Sequence, residues 1–390
     1  MDILYISDKY PTDDNPYTSF ISTICNEFVR QGHNVTVVSP CSITTQLRHK
    51  WKIPPLRNQF RVTRKDNTTG YVNVYRPRYI SLGQSPATAK VSFLLRAITL
   101  NRFLNKHRIK ADIIYAKFFA AAVDATEYAD KNGLPVFVDS GEDRIFLEKF
   151  FSKGRISRFK QVLRGVVCVS SKNKQECIAK GLANENNTRV CVNGYDATRF
   201  YPVDKTLARE KLGFSQEPFI VVFCGRFNNR KGVMRVDEAV RGLNDPNVKC
   251  IYIGSVVEKS DVDLKGDHIL FSGSIPHNEV AAYLSCGDVY VFPSLMEGCP
   301  NSTIEAMACG LPIISSDRDF NHDILDKNNS LLINPDSIED IATAIAKIKN
   351  DNELRVWLAK ASLVKAEELS IESRVNKIID FIKESCKINK

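Results

Sequence analysis

Short apolar runs alternate with helix-period segments along the whole chain, and this alternation predicts the fold class. In the first half, the pattern predicts strands over 3–7, 34–39, 112–115, 135–139, 166–170 and 189–192, and helices over 19–31, 89–106, 118–131 and 171–181. The apolar runs are nearly continuous, which is typical of strands covered on both faces of a parallel sheet. Residues 1–200 are therefore expected to form a doubly wound α/β domain.

A second series of the same kind follows a polar segment, 195–217, which we interpret as a linker region. Strands are predicted over 219–224, 248–254, 268–273, 289–293 and 311–316, and helices over 231–243, 278–285, 303–309 and 337–349. Two successive series of this kind indicate two Rossmann-like domains. The second domain is expected to span 201–367, and the residues after it have a helical pattern.

Composition adds a charge bias to this picture. The 390 residues are 43% hydrophobic and 25% charged, as in ordinary globular proteins, and 54 Lys and Arg against 45 Asp and Glu give a net charge of +9. A positive balance suits an anionic partner. Basic and aromatic residues mix in two stretches: 40–72, which we interpret as a long connection between the second and third strands, and 146–164. Each stretch can be a solvated face with its aromatic rings turned inward, or can contact an anionic membrane; nucleic acid is the least favoured partner.

The location of the protein is predicted from what the chain lacks. The first residues, MDILYISDKYP, carry no basic segment before an apolar one, and no run reaches 18 apolar residues. The eleven cysteines are scattered, with no C-x-x-C, as expected for small buried side chains in a reducing compartment. The sequence therefore predicts a cytoplasmic protein that can sit at the inner face of a membrane.

The segment 289–317, VYVFPSLMEGCPNSTIEAMACGLPIISSD, combines a strand end with a helix start. The carboxyl ends of strands in such sheets face the ligand crevice, and free N–H groups at a helix N-terminus bind anions. The pattern predicts that the helix begins near Ser302 or Thr303. Glu305 has two interpretations, because Ser302-x-x-Glu305 also fits a capping box. Glu297 follows the strand end directly and is expected to point into the crevice.

The segment 223–232, FCGRFNNRKG, places Arg226 and Lys231 beside a short loop between a strand and a helix. A guanidinium and an ammonium at such a junction can clamp a diphosphate, although an exposed basic loop would read the same way. The pattern G-x-x-x-x-G-K-[ST] occurs nowhere, and no G-x-G-x-x-G follows the first strand. Both absences disfavour a P-loop nucleoside triphosphatase and a nicotinamide dehydrogenase.

Together these two segments resemble a known family. Glu297 and Glu305 bracket seven residues, as in the E-x7-E signature of retaining nucleotide-sugar glycosyltransferases of family 4, and PS-x-x-EG-x-x-N-x-x-x-EAMA-x-G-x-P and GR-x-x-x-x-KG match the same pattern. The resemblance implies the GT-B fold, in which two Rossmann-like domains face a cleft. It also implies that the terminal helix, 368–390, returns to the first domain.

The resemblance further implies the roles of individual residues. Catalytic roles are expected for Arg226 and Lys231, which would grip the donor diphosphate, and for Glu297, which would orient the donor sugar. Glu305 would bind the ribose hydroxyls. The expected donor-binding set is Gly225, Arg226, Lys231, Glu297, Gly298, Cys299, Pro300, Asn301, Ser302, Thr303 and Glu305. No metal and no cofactor beyond the nucleotide-sugar co-substrate is expected, because two cations and a helix terminus can offset the diphosphate charge. A UDP-sugar is the first expectation and a GDP-sugar the second.

The acceptor side is less well defined by the sequence. Where the family often has histidine, this chain reads VDSGED, and Ser140 and Glu142 become the acceptor candidates. Glu142 can equally well begin the next helix. The expected acceptor is a hydroxyl of a saccharide or a lipid-linked saccharide in cell-surface polysaccharide biosynthesis. The alternatives are a nucleotide-sugar epimerase of GT-B fold and a non-catalytic nucleotide-binding scaffold.

Overall fold

The computed structural model describes residues 1–12, 18–83, 85–142, 144–256 and 262–387, so the final residues of the predicted helix 368–390 lie outside the described part. The strands are β1 Asp2–Ile6, β2 Asn34–Val38, β3 Cys41–Ser42, β4 Arg57–Thr63, β5 Thr69–Tyr75, β6 Arg78–Tyr79, β7 Ile113–Lys117, β8 Val136–Ser140, β9 Leu163–Cys168, β10 Thr188–Val190, β11 Phe219–Cys224, β12 Val248–Ile253, β13 Ile269–Gly273, β14 Val289–Phe292, β15 Ile313–Ser316 and β16 Ser330–Ile333.

The helices alternate with these strands, as the apolar periodicity predicts. They are α1 Ser19–Arg30, α2 Ile43–Arg48, α3 Pro86–His107, α4 Phe119–Asn132, α5 Leu147–Phe150, α6 Lys153–Val162, α7 Ser171–Ala179, α8 Lys205–Leu212, α9 Val233–Gly242, α10 Val280–Ser285, α11 Asn301–Ala308, α12 Ile338–Asn350, α13 Asn352–Glu367 and α14 Ile371–Lys387. The α/β class predicted from the sequence is confirmed.

Contacts divide the chain into two compact units. The first comprises 1–169, 173–191 and 375–390, and the second comprises 170–172 and 192–374. The sequence expectation put the boundary at 200, nine residues later than the structure does. In the first unit, Gly165 allows the ring of Phe381 on α14 to come close, since a Cβ there would lie 2.8 Å from that ring.

The sheet of the first unit, counted over described residues, has eight strands in the order β10-β9-β8-β7-β1-β2-β5-β4. Its central strands β7 and β8 are buried at every position. One sequence prediction needs correction here, because the segment 40–72, which we interpreted as a connection, contributes β4 and part of β5. Strand β5 pairs parallel with β2, and β4 pairs antiparallel with β5. Strand β5 alternates exposed and buried residues, a pattern that a search for continuous apolar runs does not detect.

The second unit contains a six-stranded parallel sheet, again counted over described residues, in the order β13-β12-β11-β14-β15-β16. The short strand β16 was not predicted from the sequence. The predicted linker 195–217 is also corrected, since it contains helix α8, which Asp204 caps at its N-terminus and Gly213 ends with a φ of 74°. Helix α8 belongs to the second unit.

Arg209 anchors α8 in the second unit and is only 1% exposed. Its Nη2 donates to Asp288 Oδ2 at 2.7 Å, its Nε donates to the Cys286 carbonyl at 2.9 Å, and its Nη1 donates to the Gln216 carbonyl at 2.8 Å. Asp288 also accepts the backbone N–H of Ile220 in β11 at 2.8 Å. This buried ion pair and its added hydrogen bonds fix α8 to the amino ends of the central strands β11 and β14.

Arg209→Ala is expected to lower the free energy of unfolding by about 3–5 kcal/mol, because it removes the buried cation from Asp288, which then keeps only the half-exposed Lys205, and leaves the Cys286 and Gln216 carbonyls without this donor. Urea titration followed by circular dichroism measures the change. Arg318→Ala, which removes the exposed pair between Arg318 and Asp336, is the matched control and should cost less than about 1 kcal/mol. Equal losses in the two variants would contradict the anchoring role of Arg209.

Candidate functional site

The order of strands in the second unit places the candidate site. The chain runs from β11 outward to β13 on one side, and then from β14 outward to β16 on the other side. Strands β11 and β14 are parallel neighbours, with Val221 opposite Val289. The crevice of an open α/β sheet lies at the carboxyl ends of the strands where the order reverses. The segments that follow these two strands are 225–232 and 293–300, the same segments that carry the sequence motifs.

Hydrogen bonds join the second loop to the first loop and to the start of α9. The Leu295 N–H donates to the Arg230 carbonyl at 2.8 Å, and Arg235 Nη2 donates to the Pro293 carbonyl at 2.8 Å. Within the first loop, the Asn228 side chain accepts the N–H of Lys231 at 2.9 Å, which closes the turn before α9. The positions of Arg226 and Lys231 are therefore set by local turn chemistry together with the neighbouring strand end.

Glycine permits a second close approach at this edge of the sheet. Gly254 follows β12 with a φ of 148°, and a Cβ there would lie 1.9 Å from the Gly225 carbonyl oxygen. No side chain fits at that distance. The turn after β11 therefore depends on the absence of a side chain at the end of β12.

Lys231 and Glu297 form the central contact of the site. The Lys231 Nζ lies 2.5 Å from Glu297 Oε1, and Ser294 Oγ donates to the same oxygen at 2.5 Å. The side chains of Lys231 and Glu297 are 15% and 8% exposed. The ammonium also lies 5.3 Å from the centre of the Phe292 ring. The structure therefore brings together two of the three predicted catalytic residues, and Ser294 is a partner that the sequence reasoning did not identify.

Arg226 has a different environment. It is exposed, and no ion pair or hydrogen bond of its side chain occurs among the described residues. Because this guanidinium at the carboxyl end of β11 has no partner in the described part of the chain, its donors are available for a ligand.

Helix α11 begins at Asn301, with Pro300 at the N-cap position and no capping side chain. The capping-box interpretation of Ser302 and Glu305 is therefore wrong, and the helix begins one residue before the predicted start near Ser302 or Thr303. The hydroxyl of Ser302 instead accepts a hydrogen bond from the buried Tyr290 at 2.8 Å. Because no side chain caps the first turn of α11, its N–H groups can receive an anion.

Glu305 is partnered by a histidine that the sequence reasoning did not select. His277 Nε2 lies 3.3 Å from Glu305 Oε1, and His277 Nδ1 lies 3.3 Å from Arg199 Nη1. The ring of His277 also packs edge-on against Phe200 at 5.5 Å. The side chain of Glu305 is 14% exposed, so its carboxylate is held in place while it can still be reached.

The remaining predicted donor-binding residues differ in burial. Gly298, Pro300 and Thr303 are buried, whereas Cys299 and Asn301 are partly exposed. The Cys299 carbonyl accepts a hydrogen bond from the Asn193 side chain at 3.1 Å. Burial raises the pKa of the Cys299 thiol to about 12, which keeps it protonated at neutral pH. Cys299 is therefore no thiolate nucleophile.

The two acceptor candidates lie in the first unit. Ser140 is fully buried at the end of β8, and its hydroxyl donates to Glu142 Oε2 at 2.9 Å. Glu142 Oε1 accepts the N–H of Phe119, the first residue of α4, at 2.8 Å. Burial raises the pKa of Glu142 despite these hydrogen bonds. In this geometry the Glu142 carboxylate accepts a hydrogen bond from the N-terminus of α4, and the Ser140 hydroxyl donates to the same carboxylate.

Within the described ranges, no group of three or more His, Cys, Asp or Glu side chains is placed to hold a metal ion. No helix in the described part has both the length and the apolar character needed to cross a bilayer.

Most of the second unit matches a known protein family, and the chain resembles two named enzymes. Residues 204–363 match the family described as "Glycosyl transferases group 1". The chain is 27% identical over 369 residues to the putative teichuronic acid biosynthesis glycosyltransferase TuaC of Bacillus subtilis, covering 92% of this chain and 90% of the relative. It is 25% identical over 231 residues to the UDP-Gal:alpha-D-GlcNAc-diphosphoundecaprenol alpha-1,3-galactosyltransferase of Escherichia coli, covering 55% of this chain and 59% of that protein.

A solved structure shares the whole fold. HepE of Anabaena, crystallised in complex with UDP, superposes with a TM-score of 0.70 at 16% identity, covering 98% of this chain and 100% of that one. The protein therefore has the GT-B fold, with two Rossmann-like parallel-sheet units. The family match and the similarity to TuaC support a glycosyltransferase.

The close approach of Gly254 to Gly225 leads to a stability prediction. Gly254→Ala is expected to lower the free energy of unfolding by about 3 kcal/mol or more, because the added Cβ combines an unfavourable φ with a clash against backbone. Gly213→Ala is the matched control, since it has a φ of 74° but no atom within 4 Å of the added Cβ. It should cost only about 1–2 kcal/mol. Thermal unfolding of both variants measures the difference, and a Gly254→Ala protein as stable as the control would refute the packing argument.

Proposed function

We propose that the protein is a retaining glycosyltransferase that moves a sugar from a nucleoside diphosphate sugar to a hydroxyl of a saccharide. The observation that carries this proposal is the buried pair of Lys231 and Glu297, set at the strand switch point beside the uncapped first turn of α11. Cations and free N–H groups at that place suit a diphosphate leaving group, and a carboxylate suits sugar hydroxyls.

The proposed chemistry follows from these charges. The bond between the anomeric carbon and the diphosphate oxygen breaks, and the acceptor oxygen bonds to the same face of the sugar. The departing diphosphate takes the acceptor proton, so no protein base is needed. Arg226 and Lys231 offset the negative charge that grows on the leaving group. Two cations and a helix N-terminus perform this task without a divalent metal.

The two carboxylates take different parts. Glu297 orients the donor sugar through its hydroxyls while remaining paired with Lys231. Glu305, steadied by His277, accepts hydrogen bonds from the ribose hydroxyls. UDP is the first choice of carrier, supported by the UDP-sugar in the name of the E. coli relative and by the UDP complex of HepE, and GDP is the second. The polysaccharide roles in the names of the relatives favour an acceptor of cell-surface polysaccharide assembly.

Arg226→Ala and Lys231→Ala are each expected to lose about 2–4 kcal/mol of transition-state stabilisation, because each variant removes a cation from the leaving group. Release of nucleoside diphosphate from UDP-sugars and GDP-sugars, with and without EDTA, measures kcat/KM. Lys249→Ala, which lies on β12 and donates to the Asp267 carbonyl, is the control and should keep full activity.

Several outcomes of this assay would contradict the proposal. Unchanged turnover in both variants would exclude the clamp, and full loss of activity in EDTA would exclude metal independence. A new sugar nucleotide formed from donor alone would identify an epimerase. Nucleotide binding without any turnover would identify a scaffold.

We also propose that the first unit rests on an anionic membrane surface. Exposed apolar side chains lie on α2, in the segment after α2, in the segment before α3 and on one face of α3. They are Leu47, Ile53, Leu56, Ile80, Leu82, Val91, Leu94 and Ile98. We call these residues the outer apolar face. The Thr44 hydroxyl donates to the Ser81 carbonyl at 2.7 Å, and the Leu82 N–H donates to Ser92 Oγ at 2.9 Å, so these segments are neighbours.

Basic residues accompany the outer apolar face. Arg48, Lys50, Lys52 and Arg57 are exposed in the same part of the chain. Each cation near an anionic bilayer adds roughly 1 kcal/mol of attraction. In the second basic stretch, by contrast, Phe151 and Phe159 are buried and Phe150 packs against Phe93, and Phe146 is exposed. Most of that stretch is therefore a charged face with its rings turned inward.

The double variant Leu47→Ser/Leu94→Ser is expected to bind anionic vesicles at least about fivefold more weakly than the unchanged protein, because it removes apolar area from the outer apolar face. Co-sedimentation with phosphatidylglycerol vesicles at low and high salt measures the binding. Val356→Ser/Val364→Ser, which changes exposed apolar residues of α13, is the matched control. Absence of binding at low salt, or equal losses in both double variants, would remove the membrane proposal.

A further inference from the structure

A cavity of about 350 Å³ opens in the first unit, and its lining includes none of the motif residues already described. Its lining comes from the residues that follow β1, β2 and β5, among them Asp8, Ser39 and Arg76. These are the carboxyl ends of parallel strands, where open α/β sheets bind ligands. No sequence motif marked this place, because its residues come from well-separated parts of the chain.

One wall of the cavity is an aromatic platform. The rings of His49 and Trp51 stack with their centres 4.6 Å apart and an angle of 20° between their planes. Lys50 between them has a φ of 57°, and the Trp51 N–H donates to the Gln46 carbonyl at 3.0 Å. The turn after α2 therefore holds the indole at the cavity. A flat apolar face beside polar side chains is well suited to the C–H face of a sugar ring.

A second wall carries a buried arginine whose charge no described residue neutralises. Arg76 is 4% exposed, and its guanidinium donates to the Asn58 side chain and to the Pro11 carbonyl and lies 5.6 Å from the centre of the Tyr10 ring. None of these groups is an anion, and no ion pair of Arg76 occurs among the described residues. Burial lowers the pKa of Arg76. An anion in the cavity would compensate this charge.

A second guanidinium lines the same cavity. Arg96 Nε donates to Asp124 Oδ2 at 2.6 Å, and Arg96 Nη1 lies 3.5 Å from Asp8 Oδ2. Arg96 is 5% exposed, yet its Nη2 has no hydrogen-bond partner within the described part of the chain. A buried donor without an acceptor is costly, and a ligand oxygen would satisfy it. Among the described residues that line the cavity, Asp8 alone carries a carboxylate, and it can accept from a sugar hydroxyl.

We propose that this cavity binds the acceptor, a saccharide that carries a carboxylate or a phosphate, with its ring on Trp51 and its anionic group toward Arg76 and Arg96. This assignment rests on the glycosyl transfer proposed above and adds the charge of the acceptor. Pro54 lines the cavity between the exposed Ile53 and Leu56 of the outer apolar face. A lipid attached to the saccharide would leave the cavity beside that face.

The two tryptophans of the chain, Trp51 and Trp357, allow a direct test without donor. In the Trp357→Phe protein, Trp51 is the sole indole, and its fluorescence reports a ring stacked on it. Glucuronate and glucose 1-phosphate should change this fluorescence in a saturable way, whereas uncharged methyl glucoside should bind at least about tenfold more weakly for lack of the charged contact. The relative affinity of the two anionic probes distinguishes a carboxylate from a phosphate. The Trp51→Phe protein, which retains Trp357 on α13, should show no response.

Arg76→Gln should abolish the preference for anionic probes, and Arg61→Gln, an exposed arginine of β4 that does not line the cavity, should keep it. Circular dichroism establishes that each variant is folded. If Arg76→Gln does not fold, the comparison of charged and uncharged probes in the Trp357→Phe protein still decides. No response of Trp51 to any probe, or equal responses to charged and uncharged sugars, would overturn the proposal. Because the test uses no nucleotide, its failure is separate from failure of donor turnover.

Discussion

The contact between Lys231 and Glu297 is the constraint on which the candidate donor site depends. An ammonium and a carboxylate that are both nearly buried would each be costly alone, and their mutual contact with Ser294 makes the arrangement tolerable. The pair can form only because β11 and β14 are neighbours, although 66 positions separate the two residues in the chain. An ammonium has three N–H donors, and Glu297 engages one of them. Lys231 is therefore held in place while its other donors remain available for a ligand.

The same strand order explains why the motifs could be located from the sequence. Buried strands such as β7, β8 and β11 are continuous apolar runs, and their ends can be read directly. The carboxyl ends of such strands face the ligand, so residues 225–232 and 293–300 were identifiable as site segments. The hairpin of β4 and β5 was missed for the converse reason, since buried residues of β5 alternate with exposed or partly exposed ones.

Where sequence reasoning failed, a contact distant in the chain determines the local structure. Ser302 has the side chain of a good helix cap, but Pro300 occupies the N-cap position of α11. The Ser302 hydroxyl accepts a hydrogen bond from Tyr290 instead. Glu305 is steadied by His277, 28 positions earlier, rather than by the backbone of its own helix. Helix α8 was taken for a linker because its sequence is mostly polar, and the burial of Arg209 depends on Asp288 in a later segment. Local pattern contains none of these partners.

The two units share one electrostatic feature, a cation whose charge the described residues do not compensate. Each sheet has a cation without a protein anion at the carboxyl ends of its strands: Arg226 in the second unit and Arg76 in the first, judged over the described residues. The carboxylate of Glu142, which could have served as a base, is instead occupied by the backbone of Phe119 and Gly141 and by Ser140. A transfer in which the leaving diphosphate receives the acceptor proton needs charge compensation and no protein base. The uncompensated Arg226 and Arg76 and the occupied carboxylate of Glu142 fit the transfer between two anionic substrates that we propose.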